Sequence, residues 1–196
     1  MSVVPIRLFG DPVLRTRAAE VTDFGPELGR LIDDMFETMD RHNGAGLAAT
    51  QIGVESRVFV FNCGGMRGHI VNPVFTVEGD DTQTGPEGCL SIPGIQASCT
   101  RAAVVTVSGV NRDGVPLHFT AEDIVARAIQ HETDHLDGVL FLQRLEPTIR
   151  KGAMRAVRES EWFAAGVTSS DDPGAYPTTW VHEPDEAGMT PSRVAE

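Results

Sequence analysis

The 196-residue chain is poor in cysteine: Cys63, Cys89 and Cys99 are its only three, and no C-x-x-C pair occurs among them. A structural zinc ribbon is therefore not indicated, and unpaired thiols agree with a reducing cytosol. No apolar run approaches the ~18 residues of a membrane span, and no basic stretch leads into an apolar segment and cleavage site near Met1. A soluble, unexported protein without membrane contact is expected. Internal repeats are also absent. Positive charge is scarce, with 16 Lys and Arg against 28 Asp and Glu and a formal net charge of −12. Such a chain does not read as a general or sequence-specific nucleic-acid binder. What is present, 41% hydrophobic residues, suffices for one substantial core, and one domain is expected.

The most informative stretch is His131-Glu132-Thr133-Asp134-His135. On a helix, residues four apart share a face, so both imidazoles project together and suit a divalent metal. Glu132, one residue on, is rotated away from that face and can handle protons of an activated water instead of binding the ion. This pattern implies metal-assisted hydrolysis. Its context supports a helix over about 120–137: Thr120 begins a Thr-x-x-Asp capping-box spacing, and Gly138 provides a stop. Ile124, Ala128, His131 and His135 form one stripe, while Val125, Ile129 and Leu136 lie off it, so the helix is apolar on more than one side and buried. Burying His, Glu, Asp and His is costly unless they bind something or one another.

Two histidines need a third ligand. Cys89 lies in Glu87-Gly88-Cys89-Leu90-Ser91, a short extended segment before the turn Ile92-Pro93-Gly94. Its thiolate could complete a Cys-His-His set; the alternative is a small buried apolar residue. Gly44-Ala45-Gly46-Leu47-Ala48-Ala49-Thr50-Gln51 offers backbone that a substrate can approach closely, and an amide donor that can face developing negative charge. The alternative is a helix C-cap and tight turn.

Elsewhere, Leu28, Leu31, Ile32, Met35, Phe36 and Met39 keep helical spacing behind Pro26 and read as core packing. Strand-like runs span Arg57–Phe61, His69–Val77, Ala102–Val110 and Val115–Phe119, the last two joined through a hairpin at Asn111-Arg112-Asp113-Gly114. Pro147 opens a helix to about Phe163 that carries Arg150, Lys151, Arg155 and Arg158. The order predicts an α+β fold: mixed or antiparallel strands around a central metal-binding helix, then a C-terminal helix and a flexible tail. The domain is expected over 1–165. Residues 166–196, aperiodic and with six acidic residues against Arg193, are expected as a flexible acidic tail.

Taken together, G-x-G-L-A-A-x-Q at 44–51, E-G-C-L-S at 87–91 and H-E-x-D-H at 131–135 resemble, in order and spacing, the three signature motifs of the peptide deformylase family. The resemblance also takes in Gly10-Asp11-Pro12-Val13-Leu14-Arg15 and Leu136-Asp137-Gly138-Val139-Leu140-Phe141. It implies removal of the formyl group from the N-terminal formyl-methionine of nascent chains, with release of formate. It further implies Fe2+ held by Cys89, His131 and His135, an ion that Zn2+, Ni2+ or Co2+ can replace. Glu132 would be the general base and acid, while the Gln51 amide and the Leu90 backbone N–H stabilise the oxyanion. Substrate would contact Gly44, Ala45, Gly46 and Gly88, with Ile124, Ala128 and the stem of Arg127 around the methionine side chain. Ala45 is bulkier in many members and Gln96 is often arginine, so a wider methionine pocket and altered distal contacts are expected. The helix after Pro147 is the candidate ribosome contact, against the simpler reading of a solvated basic face.

Two other readings remain open on sequence. A His-Glu-x-x-His metalloendopeptidase would draw its third ligand from downstream, with Glu159 the nearest helical candidate. A structural metal site in an interaction module would leave Glu132 and the 44–49 strip without a role.

Overall fold

A computed structural model describes residues 2–182. In chain order the elements are β1 (Ile6–Arg7), α1 (Pro26–Arg41), β2 (Gly46–Ala48), β3 (Val58–Cys63), β4 (Met66–Val77), β5 (Thr82–Cys89), β6 (Ile92–Ala102), β7 (Val104–Val110) and β8 (Pro116–Glu122). These are followed by α2 (Asp123–Leu136), α3 (Pro147–Glu159), α4 (Glu161–Ala164), β9 (Ser169–Ser170) and β10 (Thr179–Val181). The expected α+β class is observed, and its strands form three sheets. One has five antiparallel strands in the order β2-β3-β4-β7-β8; a second runs β10-β6-β5; a third pairs β1 with β9.

The central helix is α2, and Val125 through Leu136 are all buried. On one side Val125, Ala126, Ile129 and Leu136 pack with Phe59, Phe61, Ile70 and Val107 of the five-stranded sheet. A second core lies around α1 and α3, where Leu28, Ile32, Met35 and Met39 meet Ile92, Ile95, Ile149, Val157 and Trp162. The methionine stripe of α1 is thus core, as its spacing predicts. Strand alternation sets which residues reach each core, and at ~0.8 kcal/mol per buried CH2 these side chains supply most of the folding drive.

The helix of the metal motif starts later than its apparent capping box suggests. Thr120 is a strand residue whose hydroxyl meets that of Thr106 at 3.0 Å across the β7–β8 pair. The ladder continues to Val104↔Glu122, so residues 120–122 are committed to the sheet before the chain can turn helical. The exit does match: Gly138 adopts φ +73, and a Cβ there would lie 2.6 Å from the Arg15 carbonyl oxygen, so glycine is required.

Four other features differ from expectation. β3 and β4 form a longer hairpin than the runs at 57–61 and 69–77 suggest, and the β5–β6 hairpin, paired from Thr82↔Ala102 to Cys89↔Ile92, was not anticipated. Gly85, Pro86 and Gly88 interrupt the strand pattern of β5; proline is tolerated because β5 is an edge strand. The helix from Pro147 ends at Glu159, where Ser160 turns extended (ψ 144), and α4 follows separately. The segment after Gly166 is not a free tail as far as Val181. Ser169 and Ser170 pair with Arg7 and Ile6, and Thr179–Val181 pair in parallel with Ile95–Ala97. Local periodicity is lost because these pairings are two to three residues long and wholly non-local. The remainder of the expected tail, from residue 183, lies outside the described residues.

Candidate metal centre

One helical turn separates His131 from His135 on α2, and their rings stand 5.0 Å apart between centroids. The β5–β6 hairpin brings Cys89 to the same point: its Sγ lies 3.1 Å from His135 Nε2. The three candidate donor atoms all fall within 4.8 Å of one another, the only such His/Cys/Asp/Glu group among the described residues. Glu159, the third ligand of the protease reading, lies instead on the exposed face of α3, paired with Arg155 at 2.8 Å. The geometry therefore does not favour that reading.

Behind the histidines is a layer of buried charge. Glu87 Oε1 lies 2.6 Å from His131 Nδ1, and the same carboxylate accepts from Arg101 at 2.6 and 3.1 Å and from Arg127 at 3.0 Å. Burial alone would raise the Glu87 pKa, but its bonds to His131 and Arg101 prevail and hold it well below the usual carboxylate range. Asp134, on the rear face of α2, accepts from Arg101 and Arg144, both at 2.6 Å. The carboxylate at Nδ1 turns Nε2 of His131 towards the cluster and orients the ring, the role that outer carboxylates play around metal-bound histidines. His131 also stacks on Phe141 at 6.2 Å. Burial pushes the His135 pKa well down, favouring the neutral imidazole that a ligand must present.

Two imidazoles and a thiol form a nitrogen/sulfur set suited to Fe, Zn, Co or Ni. Of the other cysteines, Cys99 is held as a thiol, its pKa pushed up to about 12 by burial, and Cys63 is raised in the same direction for the same reason. Glu132 is buried beside the cluster, and its Oε2 has no hydrogen-bond partner. Burial, reinforced by Glu87, pushes its pKa up to about 7. An orphaned carboxylate oxygen next to three converging donors fits an ion with a reacting water at this point, and a pKa near neutrality suits proton transfer in both directions.

Cys89, His131 and Glu132 open onto a cavity of about 380 Å³. Gly44, Ala45 and Gly46, Gly88 and Leu90, and Ile124, Arg127 and Ala128 of α2 also line it. Ile124, expected on the buried stripe, is 45% exposed because it stands at the helix entry. Arg127 contributes only its stem: its guanidinium is turned away, bound to Glu87 and to the carbonyls of Cys99 (2.9 Å) and Gln83 (3.3 Å). Gly46 must be small, since a Cβ there would overlap Glu132 Oε1. The C-cap reading holds only for the start of this stretch: Asn43 (φ 52) and Gly44, whose N–H donates to the Met39 carbonyl at 2.9 Å, close α1, whereas Gly46–Ala48 form β2 and Ala49–Ile52 a 3-10 turn. Gln51 is fixed by accepting from Ala48 N–H at 2.8 Å, and its Nε2 donates to Ser91 Oγ at 3.2 Å and lies 3.5 Å from Cys89 Sγ.

Several contributors were not anticipated. Glu87 and Asp134 stand inside the recognised motifs, and buried carboxylates there are themselves a signal. Ser91 also closes a recognised motif, but Arg101 and Arg144 carry no local signal, nor do Pro173, Tyr176 and Thr178, which also line the cavity.

Residues 3–151 match the family model described as polypeptide deformylase. The chain is 58% identical over 167 residues to peptide deformylase 1 of Corynebacterium efficiens, covering 83% of this chain and 99% of that one. It is 53% identical over 178 residues to the peptide deformylase of Acidothermus cellulolyticus, covering 91% and 97%. Among solved structures it resembles the crystal structure of a peptide deformylase from Legionella pneumophila, with TM-score 0.76 and 38% identity over 84% of this chain and 98% of that one.

Proposed function

The chain belongs to the polypeptide deformylase family, metal-dependent hydrolases of the N-terminal formyl group of nascent polypeptides, and we propose that its own Cys89, His131 and His135 hold the ion for that reaction. The observation that carries this reading is the convergence of those three donors beside a buried Glu132, one of whose carboxylate oxygens is unpartnered, in the wall of a cavity. When bound, a divalent ion polarises the formyl carbonyl and lowers the pKa of water at the site towards neutrality. Glu132 accepts the proton of the attacking water and delivers it to the departing amine. Gln51 Nε2 and the Leu90 N–H donate to the oxygen as negative charge develops there; one such donor is typically worth about 3–4 kcal/mol in the transition state.

The groove itself suits an extended peptide. β2 and β5 are both sheet edges, and Gly44–Gly46 on one side and Gly88 on the other leave room for a main chain to lie between them. The methionine side chain is assigned to the pocket beside Ile124, Ala128 and the Arg127 stem. Ala45 leaves that pocket wide.

The ion in the cell is assigned as Fe2+, with Zn2+, Ni2+ and Co2+ able to replace it, since the donor set accepts all four. The cytosol is the assigned location: three free cysteines suit it, and no helix among the described residues is long and apolar enough to cross a membrane. The exposed Arg150, Lys151 and Arg158 of α3 form a basic face on an acidic protein and are assigned to ribosome contact.

Formate release from a formyl-methionyl peptide, with metal analysis of variants, tests the reading. Cys89→Ala is expected to lose metal and activity, Glu159→Gln to keep both, and Glu132→Ala to keep metal without turnover. Stoichiometric metal in Cys89→Ala would overturn the ligand assignment.

A further inference from the structure

The segment after Gly166 crosses from one anchored point to another. At its start, β9 pairs with β1, and Leu8 N–H donates to the Thr168 carbonyl at 2.8 Å. At its end, β10 extends the β5–β6 sheet, and Val181 is buried so closely on α3 that a Cβ on Gly152 would lie 2.9 Å from its Cγ1. Between these points Pro173 is buried and Tyr176 packs against the α1/α3 core. Gly94 (φ +73) has no space for a side chain because the Pro177 carbonyl occupies it. The bridge thus lies in backbone contact with the start of β6, where the sequence pattern of Ile92-Pro93-Gly94 suggests a turn. Pro173, Gly174, Tyr176 and Thr178 open onto the same cavity as Cys89 and Glu132.

Its distance from the metal centre defines what it can touch. Ile92 is paired with Cys89, and Gly94, against which the Pro177 carbonyl lies, is two residues further along β6, about 7 Å at ~3.3 Å per residue. A substrate that runs extended along this hairpin with its formyl group at Cys89 reaches the wall at about its third residue. Tyr176 is the one aromatic side chain in the bridge and is half-buried, a combination suited to stacking on a side chain of the substrate.

Resting on the deformylase reading, we propose that Pro173–Thr178 is a wall of the peptide groove and that Tyr176 is a specificity-determining residue, contacting aromatic or long aliphatic side chains near the third position of the nascent chain. The test compares kcat/KM for formate release from formyl-Met-Ala-Phe-amide and from formyl-Met-amide, using the metal-loaded full chain. Tyr176→Ala should lower the ratio of the two about 2–10-fold, the worth of one aromatic contact, and Tyr176→Phe should restore it. Tyr176→Leu retains apolar volume against the core and reads the same ratio if the alanine variant is unstable. Trp180→Ala perturbs β10 at a side chain outside the groove and should leave the ratio at its native value. An unchanged ratio in Tyr176→Ala and Tyr176→Leu, or an equal fall for both substrates accompanied by a lowered Tm, would overturn the proposal and leave the bridge a structural strap. No formate from either substrate with the native enzyme would instead defeat the deformylase reading itself.

Discussion

Substituting Gly46 by alanine adds one methyl group at the point where β2 passes Glu132, the proposed general base. Its φ is outside the left-handed region, so alanine brings no backbone strain, and the effect comes from side-chain space alone. The new Cβ would overlap Glu132 Oε1 and lie 2.8 Å from Cδ and 2.9 Å from Cγ. Carbon atoms in ordinary contact stand about 3.5–4.0 Å apart, so the methylene carbon must retreat by about 0.6–1.1 Å. Glu132 is 3% exposed, and rotation about its terminal bond cannot relieve the clash at Cγ. A misplacement near 1 Å in the reacting constellation costs about a hundredfold in rate, and overfilling a packed interior costs about 1–3 kcal/mol of stability. Gly46→Ala should therefore lower kcat for formate release about a hundredfold and lower the Tm, with metal content at the native level because Glu132 stands outside the proposed Cys89-His131-His135 ligand set. Steady-state kinetics on a formyl-methionyl peptide, metal analysis and calorimetry of the same preparation check all three. Native kcat would refute the assignment of proton transfer to Glu132 in this position. Loss of metal would refute the separation of base from ligands.

Glu87→Gln should weaken metal affinity about 10–100-fold, as removal of an outer-shell carboxylate from a ligating histidine generally does; competition with a chromogenic chelator measures it, and native affinity would show that Glu87 does not orient His131. Truncation after Gly166 removes β9 and β10 and exposes what Val181 and Pro173 cover. The expected loss is about 3–6 kcal/mol, from ~1.5–3 kcal/mol for each of the two apolar side chains uncovered, read as a lower Tm; an unchanged Tm would mean that the bridge contributes no packing energy. Acetyl-methionyl peptides should be rejected more strongly than formyl-leucyl ones. A methyl on the reacting carbon is forced against Gln51, Cys89 and Leu90, whereas an apolar pocket discriminates a changed side chain only about 10–200-fold. Comparable kcat/KM for formyl and acetyl substrates would remove the support for a tight site at the carbonyl.

The parts of this protein that could be read in advance are those whose physics is local. Helical period placed α1 and its methionine core, the i, i+4 spacing put His131 and His135 on one face, and Asn111–Gly114 marked a hairpin that forms. The parts that could not be read depend on pairing across distance. Thr120 carried a valid capping signal, but a strand partner at Thr106 claims it. β5 reads as turn because Gly85, Pro86 and Gly88 interrupt it, yet β6 supplies the missing order.

The sequence by itself determined the chemistry: which residue types could bind an ion, accept a proton or donate to an oxyanion, and which three segments carry them. Only the tertiary structure decided their company. Arg101 and Arg127 had to meet Glu87 before that carboxylate could stay charged in the interior, and Arg144 had to reach Asp134 from beyond the end of α2. The residues after Gly166 became a wall of the groove through pairs as short as Ser169–Arg7 and Val181–Ala97. A two- or three-residue strand has no period of its own to recognise, because its stability lies in the partner and not in its sequence.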